Sequence, residues 1–149
     1  MQGKYFDELE IGQVLTSPRR TVTETDIVLF TCLTGLNDPL FTDDIFAKEK
    51  GFGTRVAPGP LTVCLTIGLT EEINFGTSSA VLGIDKIRFL SPVRPGDTIS
   101  VKTTVTNKRE SRSRPDRGPV TLSHEVYNQK GETVCTFERT VMLFKQPPS

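Results

Sequence analysis

Tryptophan is absent from this chain, histidine occurs once, and the three cysteines stand far apart at positions 32, 64 and 135. One histidine and no Cys-x-x-C pair are too few ligands for a Cys/His zinc site, so no metal is expected. An odd number of widely spaced cysteines does not make a disulfide framework, and a reducing compartment, the cytoplasm, is the expected home. No apolar run reaches the ~20 residues that a bilayer-spanning helix needs. No apolar region precedes Lys4 or Asp7, so no signal peptide is expected. Excess charge is missing too. Lys+Arg and Asp+Glu balance at 18 each, which argues against nucleic acid or a membrane surface as partner. There is no internal repeat, low-complexity tract or linker, and the 149 residues are expected to form one domain over 1–149.

What is present is organised around Val56 to Leu69. This stretch opens with Pro58-Gly59-Pro60 and then runs almost wholly apolar through Leu61, Val63, Cys64, Leu65, Ile67 and Leu69. Gly59 suits an N-cap and Pro60 the first helical position, where a missing N–H costs nothing. Apolar residues nearly all round predict a buried helix, running to about Glu72. The free N–H groups at its start make a site for a carbonyl oxygen or an anion.

Around this helix the pattern supplies other elements. Gln13 to Val22 reads as a strand interrupted at Pro18. Thr23 and Asp26 form a capping box for a helix that stops at Gly35. Asn37-Asp38-Pro39 is turn chemistry, and Thr42-Asp43-Asp44 caps a short helix that Gly51-Phe52-Gly53 breaks. After Gly76 the period changes to two. Ser79 to Leu90 has apolar residues on both faces, which predicts a central strand. Ile99 to Thr106, Val120 to Tyr127 and Thr133 to Phe144 alternate as half-buried strands. Asn128-Gln129-Lys130-Gly131 is a hairpin turn. The predicted architecture is α+β, a long helix wrapped by a largely antiparallel sheet, with an irregular helical insertion before the helix. One sheet leaves an open edge, and a homodimer that joins two sheets is the expected remedy.

This order of elements resembles the MaoC-like branch of the hotdog-fold proteins, which includes (R)-specific enoyl-CoA hydratases and acyl dehydratases. The resemblance covers about Tyr5 to Lys145. It is carried by Pro58-Gly59-Pro60, by Phe89-Leu90-Ser91-Pro92-Val93-Arg94-Pro95-Gly96-Asp97, and by Lys108 to Pro115. The family's loop pattern is Gly-Asp-x-Asn-Pro-x-His, in which Asp and His activate the water that adds to an enoyl thioester. An N–H at the helix start, in a His-Gly pair, binds the thioester oxygen. Here the loop reads Gly35-Leu36-Asn37-Asp38-Pro39-Leu40-Phe41. Leu36 stands at the family's Asp, Asp38 at its Asn, Phe41 at its His, and Pro58 at the His of the His-Gly pair. Neither Leu36 nor Phe41 can move a proton.

The resemblance implies an acyl-CoA ligand, with coenzyme A as part of the substrate and no separate cofactor. It implies Gly59 as the thioester-oxygen donor, Asp38 as the remaining acid/base and Asn37 as a water-placing residue. Leu36, Phe41 and Pro58 would line the substrate site. Asp38 also has a plain structural reading, an Asx-turn residue before Pro39. The loop from Lys108 to Arg117 carries five cations against two acids. Its Arg112 and Arg114 read as a phosphate clamp for coenzyme A or as part of a solvated loop. His124, on the apolar face of its strand, reads as a satisfied core or interface histidine, and Cys64, Cys32 and Cys135 as small hydrophobes. Three functions are open: a hydratase or dehydratase, a non-catalytic thioester-binding subunit, and a thioesterase.

Overall fold

The computed structural model describes all of residues 1–149. A single 3-10 turn, Phe6–Glu8, leads into β1 (Val14–Thr16) and β2 (Arg20–Thr21). The insertion follows as α1 (Glu24–Thr34), α2 (Pro39–Thr42) and α3 (Asp44–Glu49). The central helix α4 (Gly59–Leu69) continues into a 3-10 turn, Glu71–Ile73. Four long strands complete the chain: β3 (Ser78–Phe89), β4 (Thr98–Lys108), β5 (Arg117–Tyr127) and β6 (Thr133–Phe144). All pairings are antiparallel, in the order β1-β4-β5-β6-β3, with β2 beside β4. This is the α+β architecture expected from the pattern, and the hotdog fold that the resemblance implies. No helix is long and apolar enough to cross a membrane.

Local chemistry accounts for the helix bounds. Thr23 accepts from the Asp26 N–H while Asp26 accepts from the Thr23 N–H, closing the capping box. Gly35 ends α1 in the left-handed region at φ 73°, where a Cβ would be strained. Asp38 caps α2, a single turn opened by Pro39 that turn chemistry alone does not reveal. Asp43 caps α3 through the Ile45 and Phe46 N–H groups.

The strands bury alternate side chains against α4, and the buried apolar residues sort into two clusters. At the α4-start end lie Val101, Val126 and Phe137, with Val22, Ile27 and Leu61 packed on them. At the other end lie Val105, Leu122 and Val141, covered by Phe6, Leu9 and Ile73. A polar belt runs diagonally between them: Thr103 and His124, which face each other, and Arg139, which pairs with Leu122 one rank further on, all buried. The helix answers it with buried Thr66 and Thr70. His124 is thus in the core, as its place on the strand predicts, but it is not fully satisfied: its Nε2 is buried without a hydrogen-bond partner.

Three expectations need correction. β3 is an edge strand, not a central one: Val81, Leu82 and Phe89 are each more than half exposed. Its two apolar faces mimic a central strand because no second layer or second strand in this chain covers them. Nor is α4 buried all round. Pro60, Cys64 and Gly68, at i, i+4 and i+8, form an exposed stripe, so Cys64 is not a core residue; Cys32 is exposed as well, and Cys135 alone is buried. Finally, Pro58 is the N-cap, Gly59 the first helical residue and Pro60 the second.

Candidate active site

The insertion folds so that the loop residues and the helix start adjoin. Leu36, Asn37 and Asp38 are exposed, Phe41 half-buried and Pro58 buried. Asp38 Oδ1 accepts from the Leu40 N–H at 2.9 Å, and the Asp38 carbonyl accepts from the Phe41 N–H, also at 2.9 Å. This is the Asx-turn geometry of its structural reading. The Leu40 carbonyl in turn accepts from the Val56 N–H at 3.3 Å, three residues ahead of Gly59. So Leu36, Asn37, Asp38 and Phe41 stand on a segment bonded directly to the one that carries Pro58 and Gly59.

The approach to α4 is fixed on its other sides. The Ala57 N–H donates to the Val93 carbonyl at 2.7 Å. Arg55 donates its backbone N–H and its Nε to Asp44 Oδ1, each at 3.0 Å, and its Nη2 to Glu24 Oε1 at 3.1 Å. The backbone N–H of Arg55 is the chief cause, with its guanidinium, holding the Asp44 carboxyl below the ordinary range. Arg94 Nε donates to the Phe52 carbonyl at 3.0 Å. One arginine thus joins the starts of α1 and α3 to the segment before α4. No sequence signal marks it, because its acidic partners lie 11 and 31 residues away.

At the helix start the N–H groups of Leu61 and Thr62 both turn back to the Pro58 carbonyl, at 2.9 and 3.4 Å. Pro60 has no N–H. The Gly59 N–H is left as the donor without a partner, at the positive end of the helix dipole. A Cβ built on Gly59 would stand 2.6–2.9 Å from three carbons of the Phe89 ring. The ring therefore lies flush against the glycine, and a side chain at this position must displace it. Phe89 belongs to a segment that marks the resemblance, yet its contact with Gly59 is a tertiary fact without a sequence signature.

Other candidates lie elsewhere. His124 Nδ1 is 2.9 Å from Thr103 Oγ1, and its ring packs on Phe137 with centroids 4.8 Å apart. Burial, helped by the Arg139 charge, pushes the imidazole down to about 3, so it is neutral near pH 7 and cannot serve as a base at the helix start. Burial pushes the Cys135 thiol up to about 11, far from a nucleophile's range. Arg112 and Arg114 are exposed, and neither side chain has an ion-pair partner. They precede Arg117, which pairs with Phe144, whereas Phe89 pairs with Cys135. The nine steps of β6 from Cys135 to Phe144 amount to about 31 Å at ~3.4 Å per residue. Within one chain, therefore, the arginine loop and the Gly59 site stand at opposite ends of the sheet.

Comparison with known proteins gives the family. The MaoC like domain family matches residues 8–128, and the chain belongs to that family. It is 40% identical to Protein MaoC of Klebsiella aerogenes over 118 residues, 78% of this chain and 35% of that protein. It is 32% identical to the (R)-specific enoyl-CoA hydratase of Rhodospirillum rubrum over 139 residues, 93% of this chain and 91% of the other. The crystal structure of a MaoC-like dehydratase from Rhodospirillum rubrum superposes with a TM-score of 0.86 at 30% identity, over 98% of this chain and 100% of that one. Several relatives are longer, and the chain spans only about a third to two fifths of the length of the first few.

Proposed function

We propose that this protein binds acyl-CoA thioesters with the thioester oxygen on the Gly59 N–H, and that it interconverts enoyl and 3-hydroxyacyl thioesters. The observation that carries the reading is the partnerless N–H of Gly59 at the start of a largely buried helix, beside the Asp38–Phe41 turn. Membership of the MaoC-like family and the likeness to an (R)-specific enoyl-CoA hydratase supply the reaction class.

In the proposed step, water adds through oxygen to the β-carbon while Asp38 accepts its proton. The electron pair of the double bond shifts through the α-carbon to the thioester oxygen, where Gly59 and the helix dipole stabilise the charge. The proton on Asp38 is then delivered to the α-carbon. Dehydration is the reverse. Asn37 places the water, and Leu36, Phe41 and Pro58 present apolar surface to the acyl group. Asp38 Oδ1 caps α2, so Oδ2 is the oxygen for proton transfer.

A second reading rests on a specific observation: Asp38 already serves as a helix cap, and Leu36 and Phe41 carry no titratable group. In that reading the protein is a thioester-binding subunit without chemistry of its own.

The deciding experiment offers enoyl-CoA and 3-hydroxyacyl-CoA substrates to the purified protein. It follows loss of the conjugated double bond and release of free thiol. Hydration that drops by 10²-fold or more in Asp38→Asn is expected for an acid/base at that position. Thiol release instead would make the protein a thioesterase. No turnover, alongside thermal stabilisation by acyl-CoA of the size RT ln(1 + [L]/Kd), would identify the binding subunit.

A further inference from the structure

From the buried corner that Arg139 and His124 form in the polar belt, we propose that this protein holds a small monovalent anion, chloride in ordinary solution, between the two side chains. The site lies at the closed end of α4 and stands apart from the acyl-CoA reading. Gly59 and Thr70 are eleven residues apart, about 16 Å along a helix. A carboxylate on a short acyl group held at Gly59 therefore does not reach it, and the anion is a free one.

The chain leaves two buried ring and guanidinium nitrogens with nothing to bond. Arg139 is 1% exposed, and its Nε has no partner. Its Nη2 meets only neutral oxygens, Thr70 Oγ1 at 3.3 Å and Asn74 Oδ1 at 3.2 Å. None of the chain's ion pairs includes it, and Glu71, exposed on the turn after α4, adds negative potential only from further off. His124 is fully buried, and its Nε2 is partnerless as well. Its Nδ1 lies 2.9 Å from Thr103 Oγ1, and that hydroxyl has no other bond. The hydroxyl must place its proton, and Nδ1 is the acceptor within reach. A neutral imidazole carries one proton, which then sits on Nε2 and makes that nitrogen a donor.

The two donors are neighbours. His124 pairs with Phe137 and Leu122 with Arg139, so His124 and Arg139 stand diagonally across β5 and β6 on the buried face. Two N–H donors beside an uncompensated positive charge call for an acceptor that is itself negative. A water would accept from both but would leave the charge buried without a counterion, the larger of the two penalties. Size limits the choice of anion. Thr70 and Thr103, the partners of the two side chains, line a cavity of about 10 Å³ with Ser17 and Leu69, room for one water-sized particle. That cavity shares Leu15, Thr16, Glu72 and Ile73 with an open groove of about 250 Å³ beside Lys4. The way in from solvent therefore passes one small particle at a time. A halide fits it, and a bulky organic anion such as gluconate does not.

The chain's single histidine makes the site readable, because isotope-labelled histidine gives one imidazole in the nitrogen spectrum. Near neutral pH and at constant ionic strength, chloride is titrated in place of gluconate. The ring is expected to carry its proton on Nε2, and the Nε2 signal to move saturably with chloride. The melting temperature should rise in step by about 3 °C or more, following RT ln(1 + [L]/Kd). Arg139→Met removes the charge and one donor. His124→Phe keeps a ring against Phe137 and removes the other donor. Each variant should lose more than half of the rise that wild type shows between the two salts. If Arg139→Met does not fold, His124→Phe and the wild-type ring signal decide the question. A proton found on Nδ1, or an Nε2 signal indifferent to chloride, would overturn the proposal. So would a chloride response that the folded variants keep in full, since the halide would then sit elsewhere.

Discussion

The two ends of α4 are finished in opposite ways. At its far end almost every polar group has a partner. Thr66 and Thr70 return their hydroxyls to the Thr62 and Thr66 carbonyls at 2.8 and 2.9 Å, and the Thr70 carbonyl accepts from the Ile73 N–H. Arg139 then donates Nη2 to Thr70 Oγ1 at 3.3 Å and to Asn74 Oδ1 at 3.2 Å. At the start, the Gly59 N–H is free and faces no capping side chain. Burying a polar group without a partner costs more than one hydrogen bond gains. A helix that seals one end with threonine, asparagine and arginine but leaves the other open has its open end available to a ligand. The sealed end should therefore matter to stability and the open end to binding.

Arg139→Ala is the harshest way to break that contrast. It empties the middle of the core and leaves Thr70 and Asn74 without their donor, so denaturant unfolding should show a loss of about 3 kcal/mol. Arg139→Met keeps most of the volume and removes a buried charge whose Nε has no partner; it should cost well under half as much. A loss below about 1 kcal/mol in Arg139→Ala would mean that the polar belt is not what closes this end.

The same belt makes stability sensitive to acid. Burial, and then the Arg139 charge, lowers the folded pKa of His124 to about 3, against ~6.5 in the unfolded chain. The contribution is therefore fully present above about pH 6.5 and is lost as the pH falls toward 3, because only the unfolded state takes up the proton readily. About 2 kcal/mol should be gone by pH 5. Unfolding curves at pH 7.5 and 5 should show wild type losing that much more than His124→Gln. Equal losses would place the acid sensitivity on other groups.

How much of this was legible depends on whether the information is local. The Thr23–Asp26 capping box, the stop at Gly35 and the Asn128–Gly131 hairpin are short-range chemistry, and they read correctly from the residues. So did the core position of His124, from the period of its strand. The one-turn α2 was missed because four residues carry no periodicity. The edge position of β3 was hidden because a strand apolar on both faces has the same pattern whether a neighbour comes from its own chain or from elsewhere. The exposed stripe of α4 left only a faint trace, Pro60, Cys64 and Gly68 at four-residue spacing in an apolar run. Of the candidate site, Leu36, Asn37, Asp38, Phe41, Pro58 and Gly59 were named through the resemblance; the loop with the first four is bonded to the segment with the last two through the Leu40 carbonyl and the Val56 N–H. The Phe89 ring against Gly59, and the distance of Arg112 and Arg114 from it, depend on how strands pair over more than 40 residues. No local pattern encodes that.

The smallest effect on stability is the one that sharpens the contrast most. Gly59→Ala puts a methyl where the Phe89 ring now lies. The contact is with the tip of a side chain, and Phe89 is 53% exposed, so the ring has room to swing outward. Alanine also favours the helix by up to ~1 kcal/mol over glycine, which offsets the displacement. The net change in folding free energy should be within about 1 kcal/mol of zero. Binding should respond differently, because the methyl and the displaced ring crowd the free N–H proposed to donate to the thioester oxygen. A loss of about tenfold or more in acyl-CoA affinity, read by the concentration dependence of thermal stabilisation, is expected. A variant that keeps its melting temperature and loses its ligand would separate the two ends of α4 by function. One that keeps both would show that the open N–H is not where the ligand is held.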